Sequence, residues 1–121
     1  MRQNLPPAKC FKDLIVWPKA HQFVLGIYKI TALFSRCEIY GLSSQMRRAA
    51  VSIAANIAEG FRKRGIADRS RFLNTAEGSA DYYLLLAQDL HYTPTEEIIK
   101  SLDEISRLLN SYGRSILASN F

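Results

Sequence analysis

Residues 49–65 read AAVSIAANIAEGFRKRG, a run in which an uncharged segment passes directly into a basic one. At 100° per residue, the side chains before Gly60 form one stripe of large apolar residues and, beside it, a stripe of small ones, which is the pattern of a helix. From Ala49 to Ala58 no charge occurs anywhere around this helix. Because a helix that is apolar all round is normally buried all round, the stretch predicts a helix packed inside a bundle and against a further partner.

Proline, serine and threonine mark where the other predicted helices begin. Pro18 suits the first turn of a helix because its missing N–H is not needed there. Ser43 or Ser44 can cap a second helix, and Thr93 a fourth. The predicted helices cover about 18–35, 43–61, 67–90 and 94–117, and residues 1–10 are expected to be flexible. With short connections and no alternating stretch that predicts a strand, the sequence indicates an all-α fold, a single up-down antiparallel four-helix-bundle domain over residues 1–121.

Apolar residues recur every three or four positions in each predicted helix, which predicts the faces that form the core. The predicted stripes are, in chain order, Phe23, Ile27, Ile30 and Phe34; Leu42, Met46, Ala50, Ile53, Ile57 and Phe61; Phe72, Ala76, Ala80, Tyr83, Ala87 and Leu90; and Ile98, Leu102, Ile105, Leu109, Tyr112 and Ile116. A chain of this length can bury about two thirds of its unfolded surface, which is enough for a core without disulfides.

Small or uncharged residues cover the remaining faces of the second helix. Such side chains let helix axes approach closely, so the sequence predicts contact with another helix across a subunit interface. The residues assigned to oligomer and core packing are Ser52, Ala55, Asn56, Ala58 and Gly60. The alternative is a solvent-facing surface in which alanine serves helix propensity. Because a buried amide needs hydrogen-bond partners, Asn56 is expected to bond to a neighbouring helix and to fix register.

Basic residues exceed acidic ones, 16 against 11, which gives a net charge of +5. This balance favours a polyanionic partner, and an ordinary basic domain is the alternative. The candidate nucleic-acid-binding residues lie near helix ends and are Arg47, Arg48, Arg62, Lys63, Arg64, Arg69 and Arg71. In a symmetric assembly each basic loop is repeated around the axis, which multiplies phosphate contacts. The other interpretation is a solvated loop with local salt bridges to Glu59, Asp68 and Glu77.

Signatures of catalysis and metal binding are missing from the sequence. Di-metal bundles require Glu-x-x-His pairs, but the residues three positions after Glu59, Glu77 and Glu104 are Arg, Ala and Arg. His21 and His91 have no ligand-spaced companions, so both are assigned to the surface. No phosphate-binding glycine loop or nucleophile elbow occurs. We therefore expect no enzyme activity, no metal and no cofactor.

The cysteines and the amino terminus bear on cellular location. Cys10 and Cys37 are far apart and have no nearby His, so each is expected to be a reduced thiol. The segment MRQNLPPAKC lacks the apolar run of a signal peptide, and no stretch approaches the about 18 apolar residues of a membrane span. The sequence thus predicts a cytoplasmic protein with no membrane partner.

Three segments carry a family resemblance: FKDLIVW (11–17), YGLSSQMRRAAVSIAANIAEGFRKR (40–64) and RFLNTAEGSADYYLLLAQDL (71–90). In order and spacing they resemble the bacterial four-helix-bundle proteins first noticed as reading frames inside intervening sequences of 23S ribosomal RNA genes. The resemblance covers about residues 11–112. The positions of the middle segment that match the pattern are Gln45, Arg47, Arg48, Ala49, Ser52, Asn56, Ile57, Glu59 and Gly60.

The resemblance implies an up-down bundle that assembles as a ring-like homopentamer, without known catalysis. The chain is also similar to the accessory variability determinant of diversity-generating retroelements, a basic pentameric bundle that binds nucleic acid and works with a reverse transcriptase. The expected partners are therefore further copies of the chain, RNA or DNA, and a nucleic-acid-processing protein such as a reverse transcriptase.

Two departures from the family pattern affect the third helix. The segment GSADYYLLL is about three residues shorter than in relatives, a shift of roughly 60° in helical phase that would bend the helix or rotate its first half. This bears on where Arg69 and Arg71 lie. His91 stands where relatives usually have Gly, which weakens the glycine cap expected at the end of the helix.

Two functions follow as hypotheses. The first is a non-enzymatic, oligomeric helical bundle that binds RNA or DNA by neutralising phosphates with basic residues at its helix ends. The second is a structural or adaptor protein that acts through protein–protein contacts, in which the basic residues serve solubility and internal ion pairs.

Overall fold

The periodic apolar sequence folds into helices throughout the part of the chain that the computed structural model describes, residues 9–38, 40–62 and 69–118. The α-helices are α1 (Val16–Thr31), α2 (Leu42–Arg62), α3 (Ser70–Asp89) and α4 (Glu96–Ala118). Short 3-10 helices occupy Phe11–Asp13 and Arg36–Glu38. The described ranges contain no strand, so the predicted all-α fold is confirmed, and none of their helices combines the length and apolar character that a bilayer crossing requires.

Each helix packs on the next one along the chain, and α4 returns to α1. With the connections between successive helices short, this is a four-helix bundle of sequential neighbours. The core lies on its axis and receives side chains from every helix. The largest fully buried apolar side chains are Val16, Phe23, Ile27, Met46, Ile53, Ile57, Leu84, Leu102 and Ile105. Each such side chain contributes about 1.5–3 kcal/mol to the free energy of unfolding relative to an exposed one.

Helix α1 begins two residues earlier and ends four residues earlier than predicted. Pro18 lies in the first turn, as expected from its ring. At the other end the buried Thr31 hydroxyl donates to the Ile27 carbonyl oxygen at 2.7 Å. The next backbone hydrogen bonds are of the 3-10 type, from Leu33 N to Ile30 O and from Phe34 N to Thr31 O, both at 3.1 Å. The chain therefore leaves the α-helix at Thr31 although apolar residues continue the period.

Helix α2 has nearly the predicted bounds, but the predicted serine cap is wrong. Ser43 and Ser44 lie inside its first turn, and Ser43 is buried. The first backbone N–H of the helix, that of Leu42, donates instead to the carboxylate Oε1 of Glu38 at 3.0 Å. Tyr92 donates its hydroxyl to the other carboxylate oxygen of Glu38 at 2.6 Å. These two hydrogen bonds, the Tyr92 bond first, hold the pKa of Glu38 below its ordinary value.

Helix α3 runs without a break through the shortened segment, since Ser79–Tyr83 are all helical. Its buried stripe differs from the predicted one and consists of Leu73, Ala76, Ala80, Leu84 and Ala87. Phe72 and Leu90, both predicted in the core, are exposed by 50% and 45%. The buried stripe is thus turned so that the aliphatic neighbour of Phe72 points inward. The predicted start of the helix at residues 67–68 lies outside the described residues.

The turn between α3 and α4 is built differently from the prediction. His91 adopts a left-handed conformation with φ of 59°. Its N–H donates to Gln88 O and the N–H of Tyr92 to Ala87 O, both at 3.0 Å, which is the Schellman pattern that glycine normally closes. Helix α4 starts at Glu96, two residues later than predicted, because Thr95 and not Thr93 is the residue that precedes it. Thr95 is buried and donates its hydroxyl to Gln88 Oε1 at 2.8 Å.

Candidate nucleic-acid interface

A groove of about 560 Å³ runs between α2 and α3. Its walls carry the guanidinium-bearing residues Arg48 and Arg71, the aromatic residues Phe72 and Tyr83, and small or hydroxyl-bearing side chains between them. None of the described side chains that line it is acidic. The groove therefore combines positive charge, an aromatic surface and hydrogen-bonding groups.

An ion pair between α2 and α3 indicates the register of the two helices along this groove. Arg69 Nη2 lies 3.3 Å from Glu59 Oε1, so these positions are level in the antiparallel pair. Arg48 lies eleven residues before Glu59, which brings it level with Ala80 of α3. Arg71 is nine residues from Ala80, which at 1.5 Å per residue separates the backbone positions of Arg48 and Arg71 by about 13 Å along the groove. Arg48 and Arg71, which lie far apart in the sequence, thus line the same groove.

Phe72 projects from α3 with basic side chains around it. The guanidinium carbon of Arg69 lies 5.7 Å from the centroid of its ring, and that of Arg71 lies 6.0 Å away. Such distances are typical of cation–π contacts. Half of the ring nevertheless stays exposed. Phe72 is not among the predicted site residues because its period alone predicted it in the core.

Arg47 has a different environment from its neighbour Arg48. Its Nε donates to Thr31 Oγ1 at 2.8 Å, and its guanidinium lies 4.7 Å from the centroid of the Tyr28 ring. Both contacts join α2 to α1. Arg47 is therefore used at least in part to hold the bundle together. Successive residues of a helix are turned by 100°, so Arg47 reaches α1, whereas Arg48 lines both the α2–α3 groove and a second groove that Arg47 also lines.

The remaining candidate cations divide into three groups. Arg62 is exposed at the last turn of α2. Arg69 is mostly covered and paired with Glu59, so part of its charge is offset. Lys63 and Arg64 lie outside the described residues. Among the described residues the structure thus brings Arg48, Arg69 and Arg71 to the α2–α3 side, and leaves Arg62 at the helix end.

The predicted local salt bridges form only in part within the described ranges. Glu59 pairs with Arg69, as above. Asp68 lies outside the described residues, and Glu77 turns toward α4, where it shares a hydrogen bond with Ser106. Burial raises the pKa of Glu77, and the nearby Asp81 carboxylate adds to the rise. Neither Arg48 nor Arg71 has an ion pair with an acid in the described part of the chain.

The residues assigned to oligomer packing lie on two sides of α2. Gly60 is buried and Ser52 is half-buried on the side of α3. Val51 and Ala55 face outward, with Val51 exposed by 42%, and Ala58 is half-buried. The single chain therefore leaves an uncharged face of α2 uncovered, and its coverage by another subunit stays a prediction.

Asn56 forms its hydrogen bonds within α2 and not, as predicted, to a neighbouring helix. Its Nδ2 donates to Ser52 O at 2.8 Å and approaches Ser52 Oγ at 3.1 Å. The side chain is half-buried, and the preceding turn of its own helix supplies the hydrogen-bond acceptors that its amide needs.

Within the described residues no three His, Cys, Asp or Glu side chains come together as a group that could hold a metal ion. Both histidines are exposed, as the sequence predicted, and His21 stacks on Trp17 with ring centroids 4.9 Å apart. The described thiol, that of Cys10, is free and exposed.

These features define a class: a small all-helical bundle with a basic groove between two of its helices. The family model described as 23S rRNA-intervening sequence protein matches residues 12–111. The chain therefore belongs to the 23S rRNA-intervening sequence protein family, which confirms the resemblance of its three sequence segments. A search of curated proteins found no significant match.

Proposed function

We propose that this protein is a non-enzymatic, homo-oligomeric helical bundle that binds RNA or DNA through basic residues of α2 and α3. The observation that carries the proposal is the α2–α3 groove, where Arg48 and Arg71 face one surface without an acidic side chain among the described lining residues. The net charge of +5 supports the same partner class.

The mechanism is neutralisation of phosphates by guanidinium groups, which releases counterions from the nucleic acid. Binding of this kind weakens steeply with salt and reads little sequence. Arginine suits the role because its fork of N–H donors matches two phosphate oxygens at once. The affinity should therefore follow the number of groove arginines more closely than the overall charge of the protein.

A titration with a labelled structured RNA, followed by fluorescence anisotropy from about 50 to about 200 mM salt, tests the proposal. The double charge reversal R48E/R71E should abolish most of the binding. The matched control K29E/K100E changes two exposed lysines of α1 and α4 and lowers the net charge equally. No binding by the wild type at low salt, or equal losses in both double variants, would contradict binding through the groove.

The oligomeric part of the proposal rests on the uncovered face of α2. Val51 and Ala55 face outward there, and no charge occurs between Ala49 and Ala58. A contiguous apolar surface of this kind is typical of contact with another protein surface. A ring of subunits would cover it, and the family resemblance implies that the ring is a homopentamer.

Native mass spectrometry measures the subunit number directly. The variant A55E should dissociate the assembly because it places a charge in the centre of the apolar face. The control N110E adds the same charge at an exposed position of α4 and should keep the native mass. An A55E protein with the wild-type mass would show that this face of α2 is in contact with water.

An adaptor role is the second candidate, and exposed apolar side chains at one end of the bundle favour it. Leu33 is exposed by 77% and Tyr40 by 93%, and Leu90 lies at the same end. Such residues suit a protein partner, for example a nucleic-acid-processing protein such as a reverse transcriptase. Affinity capture after nuclease treatment separates the two candidates, because a protein partner survives the treatment and a nucleic-acid partner does not.

A further inference from the structure

Phe72 is an aromatic side chain that the fold does not need in its core. The adjacent Leu73 is buried in its place, together with Ala76 on the next turn. Phe72 instead leaves half of its ring in water beside the α2–α3 groove. Exposed aromatic rings next to cations are the usual elements on which proteins stack unpaired bases.

The two guanidinium groups near the ring add charge at the same place. Arg69 and Arg71 lie 5.7 and 6.0 Å from its centroid, and Arg69 is partly neutralised by Glu59. Arg71 forms no ion pair with a described acid. A phosphate that approached Arg71 would place the adjoining base beside the Phe72 ring.

The rest of the groove offers groups that suit a nucleotide chain. Ser52 and Ser79 supply hydroxyls that can donate to or accept from base edges and sugars. The Thr75 hydroxyl already donates to the Arg71 carbonyl oxygen at 3.0 Å and can only accept. Arg48 lies about 13 Å from Arg71 along the helices, so a strand that continues through the groove meets a second cation after a few nucleotides. The volume of about 560 Å³ lies within the range of sites that hold small organic ligands.

A single strand fits this arrangement better than a duplex. In a duplex the bases are stacked on one another and offer no face to a side chain, whereas the unpaired bases of a single strand are free to stack on an aromatic ring. A binding site that used phosphates alone would have no use for an exposed phenyl ring.

We infer that the α2–α3 groove binds an extended single strand of nucleic acid, with one base stacked on Phe72 and flanking phosphates held by Arg71 and Arg48. The inference rests on the proposed function and narrows it from nucleic acid in general to a single-stranded segment at a defined site. Stacking on Phe72 would then contribute affinity for the single strand that does not depend on the salt concentration.

The test compares a labelled 12-nucleotide oligouridine with a duplex RNA of the same length, by anisotropy over a range of salt concentrations. The wild type should bind the single strand more tightly. F72L keeps an apolar side chain but removes the ring, and should weaken single-strand binding by about tenfold with an unchanged salt slope. R48Q and R71Q should each reduce the salt slope by about one. Y82L, which removes an exposed aromatic ring on the outer side of α3, is the matched control and should bind as the wild type does.

A second variant tests stacking without depending on affinity. F72W retains an aromatic surface and introduces a fluorophore at the site, whereas the wild type has only Trp17 on α1. Its emission should be quenched by the single strand and should change little with the duplex. Wild-type protein treated in the same way provides the baseline.

The outcomes separate this inference from the broader proposal. If F72L binds like the wild type while R48E/R71E loses binding, nucleic-acid binding stands and the stacking inference is overturned. Equal affinity for duplex and single strand, or a lower native mass of F72L, would also overturn it, the latter by showing that the groove is a contact between subunits. If the wild type binds neither nucleic acid at low salt, the proposed function itself fails.

Discussion

Replacing His91 by glycine should make the bundle more stable. His91 has a φ of 59° at the position where α3 ends, and its N–H and that of Tyr92 close the turn onto Gln88 and Ala87. A residue with a Cβ pays about 1–2 kcal/mol for the left-handed conformation, and glycine loses about 0.5–1 kcal/mol through the greater freedom of its unfolded chain. The difference predicts a gain of about 0.5–1 kcal/mol in the free energy of unfolding.

Urea unfolding followed by circular dichroism, at one fixed protein concentration, measures this gain. In a thermal scan the same gain corresponds to a rise of about 2–5 °C in the melting temperature of a chain of this size. H91A is the control, because alanine retains the Cβ and the strain while it removes the imidazole. We expect H91A to lie close to the wild type and H91G above both.

The reasoning would be refuted by an H91G protein that is no more stable than H91A. That result would mean that the turn between α3 and α4 relaxes without cost around a Cβ. A rise of equal size in both variants would point to the imidazole as the source of the strain.

Three further predictions concern α3. Gly78 is an exposed mid-helix glycine with nothing within 4 Å of an added Cβ, so G78A should raise the free energy of unfolding by about 0.5–1 kcal/mol in urea titrations. L73A should cost about 2–4 kcal/mol and F72A less than about 1, and the reverse order would contradict the phase of the helix. Burial raises the pKa of Glu77, so the folded chain binds a proton at this carboxylate more tightly than the unfolded chain does. The associated stability is therefore present at low pH and is lost as the pH rises from 4.5 through the raised pKa. E77Q should remove this part of the pH dependence of the free energy of unfolding.

Helix α2 was predictable almost to the residue because its pattern is unambiguous. Apart from Val51, its large apolar residues occur at one phase, and Gly41 before the helix interrupts the apolar period. In α3 two phases are compatible with the sequence, since Phe72 is followed by Leu73, and Tyr83 by Leu84. The period fits either set, and only the packing of the other helices decides that the aliphatic members are buried.

The caps show a second limit of reading the sequence locally. Glu38 caps α2 because Tyr92, which is 54 residues away, holds its carboxylate in place. Ser43 has the right chemistry for a cap but lies inside the first turn, two residues after Gly41, which precedes the helix. Thr95 is buried beside Gln88, whereas Thr93, which has the same side chain, is not. Such choices depend on contacts between helices that no local pattern records.

The candidate site was predictable as a set of basic residues but not as a surface. The sequence places Arg47 and Arg48 together, and in the fold Arg47 bonds to α1 while Arg48 lines the α2–α3 groove as well as a second groove that it shares with Arg47. The sequence places Arg48 and Arg71 far apart, and the antiparallel register of α2 and α3 brings both to one groove. Phe72 was missed because nothing in its period distinguishes an exposed ring from a core residue.

The proposed subunit contact and the proposed nucleic-acid groove both involve α2, and the short distance between them has a measurable consequence. At 100° per residue, Ala55 and Ser52 differ by about 60° around the helix, and Arg48 lies between them. A subunit packed on Ala55 would therefore border the α2–α3 groove, and a strand lying in the groove would run along the boundary between two copies. Several such grooves in one ring would bind a long strand together and raise its apparent affinity without any new contact.

We accordingly expect A55E to weaken the binding of a long single strand more than N110E does, although both variants add the same charge. For a short strand that spans only one groove, A55E should weaken binding no more than N110E. Equal losses for both strand lengths would show that the subunits bind nucleic acid independently.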